Sequence, residues 1–285
     1  MKSFIFITLQ YLTPQHLLSR CVGWFAATKI HWIKSLFINK FVATYKVNMN
    51  EAENSDPNSY ACFNDFFCRP LKPDARPIDS TESGIVSPAD GAFSQLGPIN
   101  DGRIFQAKGH DFSAYELLGG DHNLAKEFTN GEFATIYLSP KDYHRLHMPI
   151  TGELISMCYV PGDLFSVNPT TTENVPRLFA RNERVICVFK TEIGPVALVL
   201  VGAMIVASIE TIWAGQVAPI ERKIHTTNYG LQENITLQKG EEMGRFKLGS
   251  TIVMLFPENS LEWSEEISAD SSIKMGELIA QYKKR

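Results

Sequence analysis

Acidic residues are missing from the first 50 positions of this 285-residue chain, although that stretch holds Lys2, Arg20, Lys29, Lys34, Lys40 and Lys46. The rest of the chain carries 21 basic against 31 acidic side chains, so an overall charge of −4 conceals a basic arm on an acidic body of net charge −10. That division suits an arm facing an anionic surface. Nucleic acid is set aside as the partner, because Phe4, Ile5, Phe6, Trp24, Trp32 and Phe37 make the arm too apolar for a solvated basic tail. Cysteine is sparse: Cys21, Cys62, Cys68, Cys158 and Cys187 are odd in number and never in C-x-x-C spacing. This excludes a disulfide framework and a cysteine zinc site, and points to a reducing compartment. No apolar run reaches the roughly 20 residues of a spanning helix. The longest, Val196 to Ile209, is broken by Gly202 and Ser208 and reads as a buried strand or strand pair. The run Phe4 to Leu12 follows Lys2 in the manner of a signal peptide, but Pro14, Gln15, His16 and Arg20 interrupt it and no small-residue cleavage site follows, so it is expected to be retained. Internal repeats and low-complexity tracts are also absent.

What is present divides in two. Ile30, Ile33, Leu36, Phe37 and Phe41 recur at helical spacing, with Lys34 and Lys40 elsewhere on the wheel or near its edge, and Leu17, Cys21, Trp24, Phe25 and Thr28 repeat the pattern. Two short amphipathic helices with aromatic and basic anchors are therefore expected, a pattern that fits plain core packing and a membrane interface equally; the missing acids favour the interface, where each basic residue near an anionic leaflet contributes about 1 kcal/mol. Residues 48–59 are polar, acidic and turn-rich, and read as a linker that closes a segment spanning residues 1–59. From Tyr60 onward, short apolar runs (Ala134 to Leu138, Arg184 to Phe189, Val196 to Ile209, Phe246 to Phe256) separated by Gly, Pro, Asn and Asp predict a β-rich domain over 60–285. A helix over Ala114 to Phe128, broken at Gly119-Gly120, and a helical tail from Ser272 complete the expectation. The fold class is α+β, N-terminal amphipathic helices followed by a mainly antiparallel β body.

The chemistry-bearing residues are few. Gly249-Ser250 within a strand-like run is by itself a turn or bulge signal, and Asp90-Gly91 is by itself a turn dipeptide. His144 and His147, three apart, share a pocket if the backbone is helical or tightly turned, and face apart if it is extended. Neither H-E-x-x-H nor a cysteine pair completes a ligand set around them, so no metal site is expected. In combination these residues say more. Leu248-Gly249-Ser250-Thr251, Ser87-Pro88-Ala89-Asp90-Gly91 and Tyr143-His144-Arg145-Leu146-His147-Met148-Pro149 occur together with Phe66-Phe67-Cys68-Arg69-Pro70-Leu71 and Pro161-Gly162-Asp163-Leu164-Phe165-Ser166-Val167-Asn168. In these motifs the chain resembles the phosphatidylserine decarboxylase proenzymes of the bacterial and mitochondrial type.

That resemblance implies a chain that cuts itself between Gly249 and Ser250, giving chains 1–249 and 250–285 that stay together as a heterodimer, with a homodimer of such pairs plausible. The Ser250 hydroxyl attacks the Gly249 carbonyl, the ester breaks by β-elimination, and loss of ammonia leaves a pyruvoyl group, the covalent cofactor derived from Ser250. A serine hydroxyl needs a positioned base, and an imidazole oriented by a carboxylate is the usual solution. By resemblance Asp90, His147 and Ser250 form the charge relay for self-cleavage, and His144 serves decarboxylation by proton transfer or substrate orientation. The resemblance further implies that the pyruvoyl group condenses with the amine of phosphatidylserine to a Schiff base and that carbon dioxide leaves to give phosphatidylethanolamine; the cytoplasmic face of a bacterial inner membrane is expected rather than a mitochondrion, because the short N-terminus lacks an Arg-rich, Ser-rich presequence. Arg245 and Lys247, alternating with Phe246 and Leu248, either touch a phosphate or simply face water; the sequence does not decide between them, and water is the preferred reading. Two rival readings are a serine hydrolase using Ser250, His147 and Asp90, against which stands the lack of a G-x-S-x-G elbow, and a non-catalytic lipid-binding membrane protein.

Overall fold

The computed structural model describes residues 2–204, 208–219, 223–230, 234–247 and 250–283. Three helices lead: α1 (Lys2–Leu12), α2 (Gln15–Ala26) and α3 (His31–Tyr45). Pro14 cannot extend the hydrogen-bond ladder of α1 and stands at the N-cap of α2, while Lys46, left-handed at φ 54°, ends α3. The two expected helices are α2 and α3; α1, whose apolar residues run without a polar face, is additional. Of the 20 large apolar side chains exposed among the described residues, 14 lie between Phe4 and Tyr45. Among the described residues, no helix is long and apolar enough to cross a membrane. One anchor differs from expectation. Lys34 turns inward, its ammonium donating to the carbonyls of Asn58 (3.0 Å) and Tyr60, because the polar 48–59 segment folds back against α3 and offers acceptors there.

That segment forms two short 3₁₀ turns, Met49–Glu51 and Pro57–Ser59, capped by the side chains of Asn48 and Asp56. Ala26, Ile38 and Val47 of the helical region share one buried apolar cluster with Phe66, Phe133, Val199 and Val253 of the body.

The body is built on an antiparallel sheet. In spatial order its strands are His225–Asn228, Gly152–Val160, Arg184–Thr191, Gly194–Val201, Ser250–Phe256, Glu132–Leu138, Gly91–Pro98 and Ser272–Ile273, with Thr236–Leu237 also pairing with Gly152–Val160. Ser250–Phe256 is central, flanked on one side by Gly194–Val201 and on the other by Glu132–Leu138. Its side chains alternate between two cores: Ile252, Met254 and Phe256 on one face, Val253 and Leu255 on the other. Burial on both faces explains why the sequence reads as a continuous apolar run.

A smaller antiparallel sheet orders Gly215–Ala218, Ile209–Thr211, Glu242–Phe246 and Arg145–His147, and a three-stranded one orders Gly84–Val86, Leu278–Tyr282 and Leu261–Trp263. The Ala114-to-Phe128 stretch is two short helices, Ala114–Leu117 and His122–Lys126, parted at Gly119-Gly120 as expected. The tail is a correction: beyond Ser272 the chain forms strands, not a helix. Gly276, at φ 88°, breaks any right-handed helix there, and Ile279 and Ala280 are buried in the middle strand of the three-stranded sheet, where pairing overrides local propensity.

Candidate active site

Two strand pairs place the site. In the large sheet Ser250 pairs with Leu138; in the small sheet Arg245 pairs with Arg145. Residues 139–144 therefore lead from the large sheet to the small one, and Phe246 and Ser250, the strand ends that flank the Gly249–Ser250 bond on the described chain, belong to the small and the large sheet respectively. The Phe246 N–H donates to the His144 carbonyl at 3.0 Å, which joins the end of the 139–144 segment to the end of the Glu242–Phe246 strand. Leu248 and Gly249 lie outside the described residues, and Ser250 is described by its backbone alone, as the first residue of its strand. Register thus sets position 250 opposite the end of the strand that runs on into the His144 segment.

His144 is fully buried, its ring 4.0 Å from that of Phe67. Nδ1 lies 2.9 Å from the Asp142 carbonyl, which can only accept, so the proton is on Nδ1 and Nε2 carries a lone pair. Among the described residues that Nε2 has no partner. Burial drives the pKa down to about 3, so the ring is neutral at physiological pH.

His147 is half-buried at the edge of the small sheet. Its Nδ1–H donates to the Gly240 carbonyl at 2.8 Å, and its Nε2 accepts from the Tyr143 hydroxyl at 3.1 Å. Burial again lowers the pKa and keeps the base neutral, while burial pushes that of Tyr143 up, so the phenol stays a donor. Gly240 sits at φ 85°, and a Cβ there would come within 2.8 Å of Ile78, so only glycine aims this carbonyl at His147 without strain. The extended backbone resolves the spacing question: His144 and His147 occupy different surroundings rather than one pocket.

Asp90 is buried and accepts from Arg76 at both oxygens (Nε–Oδ1 2.8 Å, Nη2–Oδ2 2.5 Å) and from the Met275 N–H at 2.9 Å. Arg76 also reaches Glu51 at 2.8 Å, and its pKa is raised by its hydrogen bonds to the two carboxylates. Gly91 serves close approach rather than a turn, since a Cβ would stand 2.3 Å from the Tyr137 carbonyl. Asp90 and His147 share a neighbourhood, the His147 N–H donating to Pro88 at 2.8 Å, but no hydrogen bond joins their side chains. The partners observed are Arg76 for Asp90, and Tyr143 and Gly240 for His147.

Beside these groups lies a polar cavity of about 390 Å³ whose lining includes Asp90, Arg76, Arg69, Lys141 and Tyr143. Sequence reasoning assigned no role to Arg76, Tyr143 or Arg69. Tyr143 and Arg69 stand inside motifs already singled out, but nothing in their spacing marks them; Arg76 precedes Pro77 in a stretch without periodicity. Arg245 and Lys247 do not simply face water. Arg245 pairs with Glu242 (2.8 Å), and Lys247 pairs with Glu210, because the small sheet places these carboxylates on the same strand or the next one. The Pro161-to-Asn168 motif docks the helical arm: Gln15 accepts from the Leu164 N–H (2.6 Å), Gln10 from the Ser166 N–H (2.7 Å), and the Tyr11 and Phe165 rings lie 4.8 Å apart.

A family model described as phosphatidylserine decarboxylase matches residues 63–281, and a second, described as PSD, matches residues 5–46. The chain is 61% identical to the phosphatidylserine decarboxylase proenzyme of Saccharophagus degradans over 99% of this chain and 98% of that one. It is 61% identical to the protein of the same name from Pseudomonas putida strain W619, covering 98% of each chain, and 57% identical to that of Bordetella avium, covering 98% of this chain and 95% of the relative.

Proposed function

Since the chain belongs to the phosphatidylserine decarboxylase family, we propose that it is a self-cleaving proenzyme whose Ser250 becomes a pyruvoyl group and which converts phosphatidylserine to phosphatidylethanolamine and carbon dioxide. The observation that carries this reading is the 61% identity to a protein named as such a proenzyme across 99% of the chain. Self-cleavage is assigned to the bond between Gly249 and Ser250. There the Ser250 hydroxyl adds to the Gly249 carbonyl as His147 takes the hydroxyl proton, the Gly249–Ser250 C–N bond breaks with protonation of the nitrogen to leave an ester, and loss of the α-proton of residue 250 with cleavage of its Cβ–O bond releases chain 1–249 with a free carboxylate. Water then replaces the nitrogen of residue 250, releasing ammonia. His147 is suited to the task because its proton is fixed on Nδ1 by Gly240, leaving Nε2 basic once Tyr143 yields its place. Asp90, held by Arg76, adds a fixed negative charge near the imidazolium that forms.

The residues at hand fit a pyruvoyl group at position 250. It would begin a central strand whose own side chains from Thr251 to Phe256 are buried, and the orphaned His144 Nε2 belongs to the segment that runs on from the paired strand. The pyruvoyl group supplies the electron sink for the pair left behind by departing carbon dioxide. His144 Nε2, unpartnered among the described residues, orients the substrate and relays a proton to the carbon that carbon dioxide leaves; a pKa driven down by burial makes the ring, once protonated, a ready donor. Phe67, against the ring, helps exclude water.

The apolar arm seats the protein peripherally on the cytoplasmic side of a bacterial inner membrane. Trp24 and Trp32, 71% and 69% exposed, act as interfacial anchors, with Arg20, Lys29 and Lys40 exposed near them. The test is release of labelled carbon dioxide from carboxyl-labelled phosphatidylserine in vesicles. Wild-type protein is expected to release it and Ser250→Ala protein not; release by the variant, or none from cut wild-type protein, overturns the reading.

A further inference from the structure

Arg69 is 3% exposed, yet its guanidinium makes a single hydrogen bond among the described residues, from Nη2 to the Lys141 carbonyl at 3.2 Å. Its Nε and Nη1 are buried without partners. The Phe66 ring lies 5.5 Å from the guanidinium carbon, so one face is covered as well. A buried cation with unused N–H groups is costly, and burial accordingly depresses the Arg69 pKa. Its surroundings do not relieve it. Of the four carboxylates lining the same cavity, Asp90 and Glu51 are taken by Arg76, Asp142 accepts from the backbone N–H and hydroxyl of Ser139 at 2.7 Å each, and Glu277 accepts from the Lys274 N–H at 2.9 Å. Lys46 and Lys141 add positive charge to the same wall. The cavity is therefore furnished for an anion that the chain itself does not supply.

The position of Arg69 ties this cavity to the reacting groups. Phe67, two residues earlier, packs on His144; Lys141, whose carbonyl Arg69 holds, is in the segment that carries His144; and Arg69 is close enough to act on the His144 ring electrostatically. The substrate class proposed above carries two anions, a carboxylate that must leave and a phosphodiester that stays. An arginine on the carboxylate would stabilise the ground state and oppose its departure, whereas one on the phosphodiester binds ground state and transition state alike and holds the carboxylate in the uncharged surroundings of Phe67 and neutral His144. Building on that functional reading, we propose that Arg69 binds the phosphodiester of the phosphatidylserine headgroup in the polar cavity and thereby positions the substrate for decarboxylation.

The test uses cut, full-length enzyme, a short-chain phosphatidylserine as substrate, and two soluble inhibitors: glycerophosphoserine, with both anions, and glycerophosphoethanolamine, with the phosphodiester alone. In Arg69→Met the KM and both inhibition constants are expected to rise together by about 10- to 100-fold, the range for a charge-assisted hydrogen bond, while kcat changes by less than about threefold. In Arg69→Lys, which keeps the charge and loses the planar fork, all three rise together by a smaller factor, and this variant decides the matter alone if Arg69→Met does not fold or cut itself. A rise confined to glycerophosphoserine would assign Arg69 to the carboxylate and overturn the proposal, as would unchanged inhibition constants in variants of an active enzyme. Wild-type protein that cuts itself but converts no phosphatidylserine would sink the functional reading and this inference with it.

Discussion

The proposed cut before Ser250 would sever the chain at the start of a central strand, and the structure predicts that the fragment 250–285 would stay in place. The perturbation is one broken peptide bond; the restraint is everything that fragment buries. Its first strand makes seven registered pairs with Glu132–Leu138 and five with Gly194–Val201. Ile252, Val253, Met254, Leu255 and Phe256 are each 0% exposed. At about 1.5–3 kcal/mol per fully buried side chain, these five alone contribute on the order of 10 kcal/mol. The fragment's remaining strands, Leu261–Trp263, Ser272–Ile273 and Leu278–Tyr282, pair with one another or with residues 84–92 and add to this. A free energy of that size corresponds to dissociation well below micromolar, on the order of 10⁻⁷ M or tighter. Size-exclusion chromatography of fully cut protein at micromolar concentration, read by mass, is the assay. Both chains should elute together and separate only in denaturant, in one transition with the loss of sheet structure. A 250–285 peptide eluting separately from folded protein at micromolar concentration would refute the reasoning.

Three further outcomes follow from single side chains. The His144 pKa falls from 6.5 in the unfolded chain to about 3 in the fold, so the unfolded state binds more protons between these values. Stability is therefore full above about pH 6.5 and is lost as pH falls, at about 1.4 kcal/mol per unit; His144→Gln should remove about 2 kcal/mol of the loss between pH 7 and 5, and urea midpoints equally acid-sensitive in variant and wild type would contradict this. Lys34→Met leaves the Asn58 and Tyr60 carbonyls short of a donor and should cost about 1–3 kcal/mol in urea unfolding without weakening binding to anionic vesicles. Trp24→Ala should do the reverse, and the opposite pattern would remove the arm from the membrane. Arg76→Met strands Asp90, buried at 5% exposure, without its counter-ion and should destabilise by about 3–5 kcal/mol in the same measurement; an unchanged midpoint would show that the pair holds nothing.

Legibility in the sequence followed the range of the physics involved. Local patterns carried the helices α2 and α3, the turns of 48–59 and the break at Gly119-Gly120, since periodicity and turn chemistry are near-neighbour effects. The tail beyond Ser272 was misread as a helix because its partners, Gly84–Val86 and Gly91–Ala92, lie some 190 residues away in the chain. The same distance hid the surroundings of the site. Asp90 and His147 could be named from their motifs, but their actual partners come from elsewhere: Arg76 and the Met275 N–H, and the Gly240 carbonyl with Tyr143. Lys34 shows the limit of a helical wheel, which separates polar from apolar faces yet cannot tell a lysine in water from one donating to carbonyls folded over it.

The central claim is that residue 250 is both the point of cleavage and the origin of the cofactor, and intact mass spectrometry of freshly purified protein tests it most directly. Two chains are expected, ending at Gly249 and beginning at residue 250, the smaller one bearing a pyruvoyl group in place of serine and lighter than the hydrolytic fragment by the loss of ammonia. A smaller chain with the full mass of an N-terminal serine, or two chains still arising from Ser250→Ala, would contradict the account.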